Sequence, residues 1–78
     1  MSKIQLDARR LLCPMPVIRL QDTVKNQPAG TLIEIDCSDI GVLHDIPAWC
    51  RINGHRVIHS EQQGQHITIL VEVGENNE

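Results

Sequence analysis

The sequence has no tyrosine and no phenylalanine, and only one tryptophan, Trp49. Its core must therefore be built from isoleucine, leucine and valine. It also lacks the aromatic platforms on which single-stranded nucleic acids stack. Lys and Arg number seven against ten Asp and Glu, for a formal net charge of -3. That balance argues against unspecific nucleic-acid binding, which depends on neutralising phosphates. No run approaches the roughly 20 apolar residues of a membrane span. The opening MSKIQLDARR carries neither an apolar stretch nor a small-residue cleavage site, so a secretory leader is not expected and the expected location is the cytoplasm. There is no CxxC, which disfavours dithiol redox chemistry. The three cysteines, Cys13, Cys37 and Cys50, cannot all pair within one chain, which fits a reduced compartment.

Seventy-eight residues make one domain, 1–78, with a modest core and little material for a deep pocket. Ile4 and Leu6 alternate with Gln5 and Asp7, predicting a first strand over Ile4–Ala8. From PMPVIRLQDTVKN the period changes. Val17, Leu20 and Val24 form a helical stripe that Ile18 broadens. Pro14 suits the first helical position, where a missing N–H costs nothing, and Pro16 is tolerable in the first turn. A second strand is predicted over Thr31–Cys37. The following DIGVLHDIPAWCRINGH has helical spacing at Ile40, Leu43, Ile46 or Pro47, and Cys50. Gly41 and Pro47 interrupt it, predicting a turn and then a helix restarted at Asp45, ended by Asn53-Gly54. Ser38 or Asp39 can cap this region. Arg56–Ser60, with Val57 and His59 on one face, is the third strand. A turn over Gln62–Gln65 leads into the last strand, His66–Val73. The expected class is α/β: a two-layer sandwich of order β-α-β-α-β-β, with two helices on one face of a four-stranded mixed sheet.

Cys13 stands before Pro14, at or beside the start of the first helix, where unpaired N–H groups and the helix dipole favour an anion. Such a position can depress a thiol pKa, and Arg9 and Arg10 add positive charge nearby. A small buried hydrophobe is the competing reading of the same residue. Cys37 and Cys50 fall on apolar faces and read as core. No histidine has the spacing of a triad partner. The cysteines and the four histidines show no metal-ligand spacing, so neither metal nor cofactor is expected. Trp49 reads as partly buried packing.

LDARRLLCPMP, an aspartate and short spacer before a CPxP motif that opens the first helix, resembles the sulfur-carrier family of small bacterial proteins related to TusA and SirA. The block DIPAWCRINGH, with DCSDI before it, matches too, and the resemblance runs from Leu6 to Val73. It implies the fold just described and assigns the functional cysteine to Cys13. In such carriers this cysteine accepts sulfane sulfur from a cysteine desulfurase as a persulfide. It passes the sulfur to a downstream relay protein, toward tRNA thiolation. Relatives serve molybdenum-cofactor maturation or sulfur oxidation instead. The resemblance implies a carrier rather than an enzyme, a monomer with no direct contact to nucleic acid or membrane. Arg9, Arg10, Pro14 and Pro16 become supporting or partner-docking residues. A regulatory or interaction module, which would tolerate loss of the thiol, and an independent sulfurtransferase are the competing classes. Two positions depart from the family pattern: Arg10 stands where glycine is frequent, and Ile40 where proline commonly follows the aspartate. The Arg10 change alters the surface beside the cysteine.

Overall fold

A computed structural model describes residues 3–12 and 14–74. The elements run β1 Lys3–Ala8, α1 Met15–Val24, β2 Leu32–Cys37, α2 Val42–Asn53, β3 Arg56–Gln63 and β4 His66–Glu72. They form the expected β-α-β-α-β-β sandwich with one four-stranded mixed sheet, ordered β1-β2-β4-β3. β1 and β2 are parallel, whereas β4 is antiparallel to both β2 and β3. Both parallel strands therefore end at the same edge of the sheet, and each leads there into a helix. This shared edge positions the candidate site.

The period-2 pattern sorts the sheet into two faces. Ile33, Ile35 and Cys37 of β2 and Ile67, Ile69 and Val71 of β4 are buried. They meet Leu20 of α1 and Val42, Ile46 and Cys50 of α2 in one aliphatic cluster. The opposite face is polar and laced with ion pairs, including Lys3–Glu34 at 3.1 Å and Arg56–Glu72 at 2.9 Å. Exposed pairs of this kind contribute about 0–1 kcal/mol each, so the aliphatic layer carries the stability.

Several expected details differ. α1 begins at Met15, with Pro14 as its N-cap and Pro16 inside the first turn. Pro16 is buried with Leu20, whereas Ile18 is 41% exposed and does not widen the stripe. α2 is unbroken from Val42 and does not restart at Asp45. The Gly41 N–H donates to Asp39 Oδ1 at 3.0 Å, which supports the chain at the helix entry. The repeat Val42, Ile46, Cys50 then runs along the core through Pro47, so burial outweighs the one backbone bond that proline removes. Ile40, outside this helix, is 66% exposed.

β3 continues to Gln63, because its pairing with β4 runs on through Gln62↔Ile67 and Gln63↔His66. The turn shrinks to Gly64–Gln65, with Gly64 at φ +60. A bulge between Val57 and His59 puts Val57 opposite Val71 and His59 opposite Leu70. Those two residues thus do not share a face, contrary to the alternation. His55 is buried and stacks on Trp49 with ring centroids 5.1 Å apart. Its Nδ1 accepts the Gly74 N–H at 2.9 Å, and burial pushes its pKa down. Gly74 packs so tightly here that a Cβ on it would run into the Gly54 carbonyl.

Candidate functional site at the carboxyl edge of the parallel strands

Cys13 lies outside the described residues, and the site is built here from its neighbours. β1 ends at Ala8, and the chain turns through Arg9 and Arg10, closed by a Leu11 N–H to Ala8 carbonyl bond of 3.3 Å. Arg10 has φ +76, the one positive φ among described non-glycine residues. Positive φ at the third turn position alone is the signature of a type II turn, where glycine is favoured. That is a physical reason for glycine to be frequent at this position. The Arg10 N–H donates to the Ser38 hydroxyl at 3.0 Å, pinning the turn to the chain that leaves β2. Ser38, considered only as a helix cap from its place in the sequence, instead bridges the two loops.

The adjacent arginines have different surroundings. Arg9 grips Asp7 with two bonds, Nε to Oδ1 at 2.9 Å and an Nη to Oδ2 at 3.1 Å. Its own N–H also donates to Oδ1 at 3.1 Å. The Arg9 guanidinium and backbone amide hold the Asp7 carboxyl down at about 2. Asp7 faces Asp36 across the parallel pair, so Arg9 offsets a cross-strand repulsion. Asp36 in turn accepts from Thr68 Oγ1 at 3.0 Å and lies 3.3 Å from His66 Nε2. Arg10, by contrast, makes no ion pair among the described residues, and it lines a cleft of about 470 Å³.

That cleft lies between the two loops and the β3–β4 turn. Leu12 from the first loop, Ser38, Asp39 and Ile40 from the second, and Gln62 and Gln65 from the turn line it. Leu12 is 74% exposed. The sequence reading does not single out Leu12, whose only signal is an aliphatic residue in a loop directly before the motif cysteine, and it singles out Ile40 only for its helical spacing and as a departure from the family pattern. Pro14 is exposed and ends the loop, whereas Pro16 faces the core. Of the candidate residues, the fold brings Arg10 to the cleft. It turns Arg9 toward Asp7 and places Pro16 inside.

The start of α1 has no side-chain cap and no acidic residue in its first turn. The Met15 N–H bonds the Leu12 carbonyl at 2.8 Å, so the loop enters the helix through a tight turn. The positive end of the dipole is thereby left without a compensating carboxylate from its own first turn. Cys37 and Cys50 are buried, and desolvation is the main cause raising their pKa values, to about 12 and about 11. No cluster of three or more metal-ligating side chains occurs among the described residues. Among the described residues, no helix is long and apolar enough to cross a membrane.

Residues 4–73 match the family model described as Sulfurtransferase TusA. The chain belongs to the TusA family. It is 36% identical over 59 residues to the sulfur carrier protein TusA of Pseudomonas syringae pv. syringae strain B728a, covering 76% of this chain and 70% of that protein. It is 37% identical over 64 residues to YrkF of Bacillus subtilis strain 168, where the match covers 82% of this chain but 35% of YrkF, so the chain spans about a third of that longer relative. YrkI of the same organism is 29% identical over 69 residues, 88% of this chain and 92% of YrkI. In the sequence, Cys13 of the CPxP motif falls between the Arg10 turn and the start of α1.

Proposed function

We propose that this chain is a sulfur carrier that holds sulfane sulfur as a persulfide on Cys13. The carrying observation is the state of the other thiols. Of three cysteines, Cys37 and Cys50 are buried with pKa values near 12 and 11, and a thiol must be ionised and accessible to exchange sulfur. Cys13 is left as the thiol for transfer chemistry.

The donor is a cysteine desulfurase carrying its own persulfide. The Cys13 thiolate attacks the outer sulfur, the donor's S–S bond breaks, and the donor thiolate leaves, so one S–S bond replaces another with no net oxidation. A thiol on a downstream relay protein later takes the sulfur by the same exchange. With no second reactive thiol, the carrier cannot discharge its cargo as an internal disulfide. The α1 terminus, without an acidic residue in its first turn, favours the anionic thiolate and persulfide. Pro14 and Pro16 restrict the backbone behind the cysteine. The protein acts in the cytoplasm as a single-domain monomer, contacts proteins rather than nucleic acid or membrane, and feeds tRNA thiolation.

Mass spectrometry after incubation with a cysteine desulfurase and cysteine tests the loading step. A gain of about 32 Da, one sulfur atom, is expected on the wild type and on Cys50→Ala, and its loss on Cys13→Ala. A wild type unmodified by any of several desulfurases would overturn the donor assignment. Unchanged levels of thiolated tRNA nucleosides in a deletion strain would overturn the endpoint.

A further inference from the structure

His55 sits at the corner where α2 ends and β3 begins, and the proposed sulfur transfer does not use it. We propose that it is an acid-operated latch: the neutral ring fastens the end of β4 to this corner through the Gly74 N–H, and a protonated ring lets Gly74 go. The inference stands apart from the sulfur-carrier reading.

The corner is closely built. Gly54 ends α2 in the left-handed region at φ +82. The His55 N–H donates to the Cys50 carbonyl at 2.8 Å, so the backbone fixes where the imidazole projects. The ring is buried and stacks on Trp49. Beyond β4, the chain is tied on one side to the entry of β2. The Val73 carbonyl accepts the Gly30 N–H at 2.8 Å, and the Val73 N–H donates to the Thr31 carbonyl at 2.9 Å. On the β3 side the tie is His55, whose Nδ1 accepts the Gly74 N–H at 2.9 Å. Gly74 can come this close to the Gly54 carbonyl because it has no Cβ.

That tie fixes the ring's proton. An Nδ1 that accepts carries no hydrogen, so the neutral ring has its proton on Nε2. Nε2 is buried and meets no acceptor among the described residues. A second proton goes to Nδ1, where the new N–H would point at the Gly74 N–H. Two donors cannot bond, so charging the ring breaks the tie and gains no acceptor in exchange. The titratable groups of the adjoining elements do not offset this. Arg51, in the last turn of α2, is exposed. Arg56 of β3 pairs with Glu72 of β4 at 2.9 Å. The buried Cys50 thiol, pushed up to about 11, stays neutral. The Trp49 face attracts a cation but cannot restore the lost acceptor. Burial holds the ring's pKa below the usual 6.5, so the latch is closed at neutral pH. The closed form keeps its full advantage above about pH 6.5. It loses that advantage as pH falls further, where the open ring takes up the proton first.

Amide hydrogen exchange followed by NMR on the whole chain, from about pH 7.5 to about pH 4.5 around the histidine reference pKa, tests the latch. After correction for the intrinsic pH dependence of exchange, the Gly74 opening constant should rise by up to about tenfold per pH unit below about 6.5. The rise should track the His55 ring signals, while the Ile35 and Ile69 amides in the middle of the sheet stay protected. His55→Asn, whose Oδ1 can stand in for Nδ1 without titrating, should keep Gly74 protected with no pH step. His55→Phe, which keeps a ring on Trp49 but has no acceptor, should leave Gly74 unprotected throughout. Gly74 protection that does not change while His55 titrates overturns the latch. So does a ring that stays neutral across the range, or one that titrates at or above 6.5. Loss of Ile35 and Ile69 protection together with Gly74 would be global unfolding, and the inference falls. It falls equally if His55→Phe shows the wild-type pH step, which would then belong to another group.

Discussion

Two helices start at the same edge of the sheet, one after each parallel strand, and their entries are built in opposite ways. The entry to α2 contains its own anions. Asp39 accepts the Gly41 N–H, and Asp45 lies in the first turn. The entry to α1 contains two arginines, two prolines and a cysteine, with no acid in the first turn; neither helix has a side-chain cap bond, so the difference is one of charge. The second junction brings negative charge of its own to the helix start, and the first brings none in its first turn. Under the proposed function, the charge on Cys13 and its cargo would be the anion at the first junction. The cysteines follow the same division, because Cys37 closes β2 inside the core just before the acidic entry.

The largest effect separating the junctions is thiol reactivity. Alkylation by iodoacetamide near neutral pH, mapped by mass spectrometry, should label Cys13 at least about a thousandfold faster than Cys37, since each pKa unit above an ordinary thiol removes a factor of ten in thiolate. Cys37 at about 12 lies more than three units above the free-thiol value near 8.5. Comparable labelling of the two in the folded protein would break the comparison at its chemical end.

Much of this contrast was visible in the sequence, though unevenly. The strands were legible because Ile33, Ile35 and Cys37, and Ile67, Ile69 and Val71, alternate cleanly with polar neighbours. The helix order followed from the change of period after Pro16. The α2 entry was misread because Gly41 and Pro47 look like breaks; local propensity pointed one way, and the buried row Val42, Ile46, Cys50 decided the other. The bulge near Ile58 was invisible, because one extra residue in a polar edge strand leaves no mark in the pattern. Within the site, the proposal of Cys13 rests on the motif. No local rule distinguished Arg9 from Arg10: which guanidinium turns back to Asp7 depends on the type of turn, and that depends on Ser38 reaching across from the other loop. The cleft joins residues from three separate segments, so only the fold could assemble it.

A smaller effect tests whether the α2 entry is self-sufficient. Asp39→Ala removes the acceptor for the Gly41 N–H and should lower stability by about 1 kcal/mol, as other helix-entry caps do, read as a drop in urea midpoint with unchanged slope. Asp39→Asn, which keeps an acceptor oxygen, should recover most of it. If Asp39→Ala leaves the midpoint unchanged, the second junction is not held by its own carboxylate, and the contrast with the first loses its basis.

The smallest effect concerns the ends of the strands just before the two junctions, where Asp7 and Asp36 face each other. Asp7 is held by Arg9 of its own loop, and Asp36 by Thr68 and His66 of β4. The Asp7 carboxyl is lowered from 3.8 to about 2, so the folded state favours its ionised form. That contribution is fully present above about pH 4 and is lost as pH falls from 3.8 toward 2, where the unfolded chain takes up the proton first. The pair is exposed, so the effect is small and weakens in high salt. Urea midpoints measured from pH 5 to pH 2 should therefore fall less steeply in Arg9→Ala than in the wild type, with the difference confined to the window below about pH 4. Identical acid limbs would mean that Arg9 does not hold Asp7 in solution. Arg9 would then be as available to a partner as Arg10, and the division of labour between the two arginines would have to be abandoned.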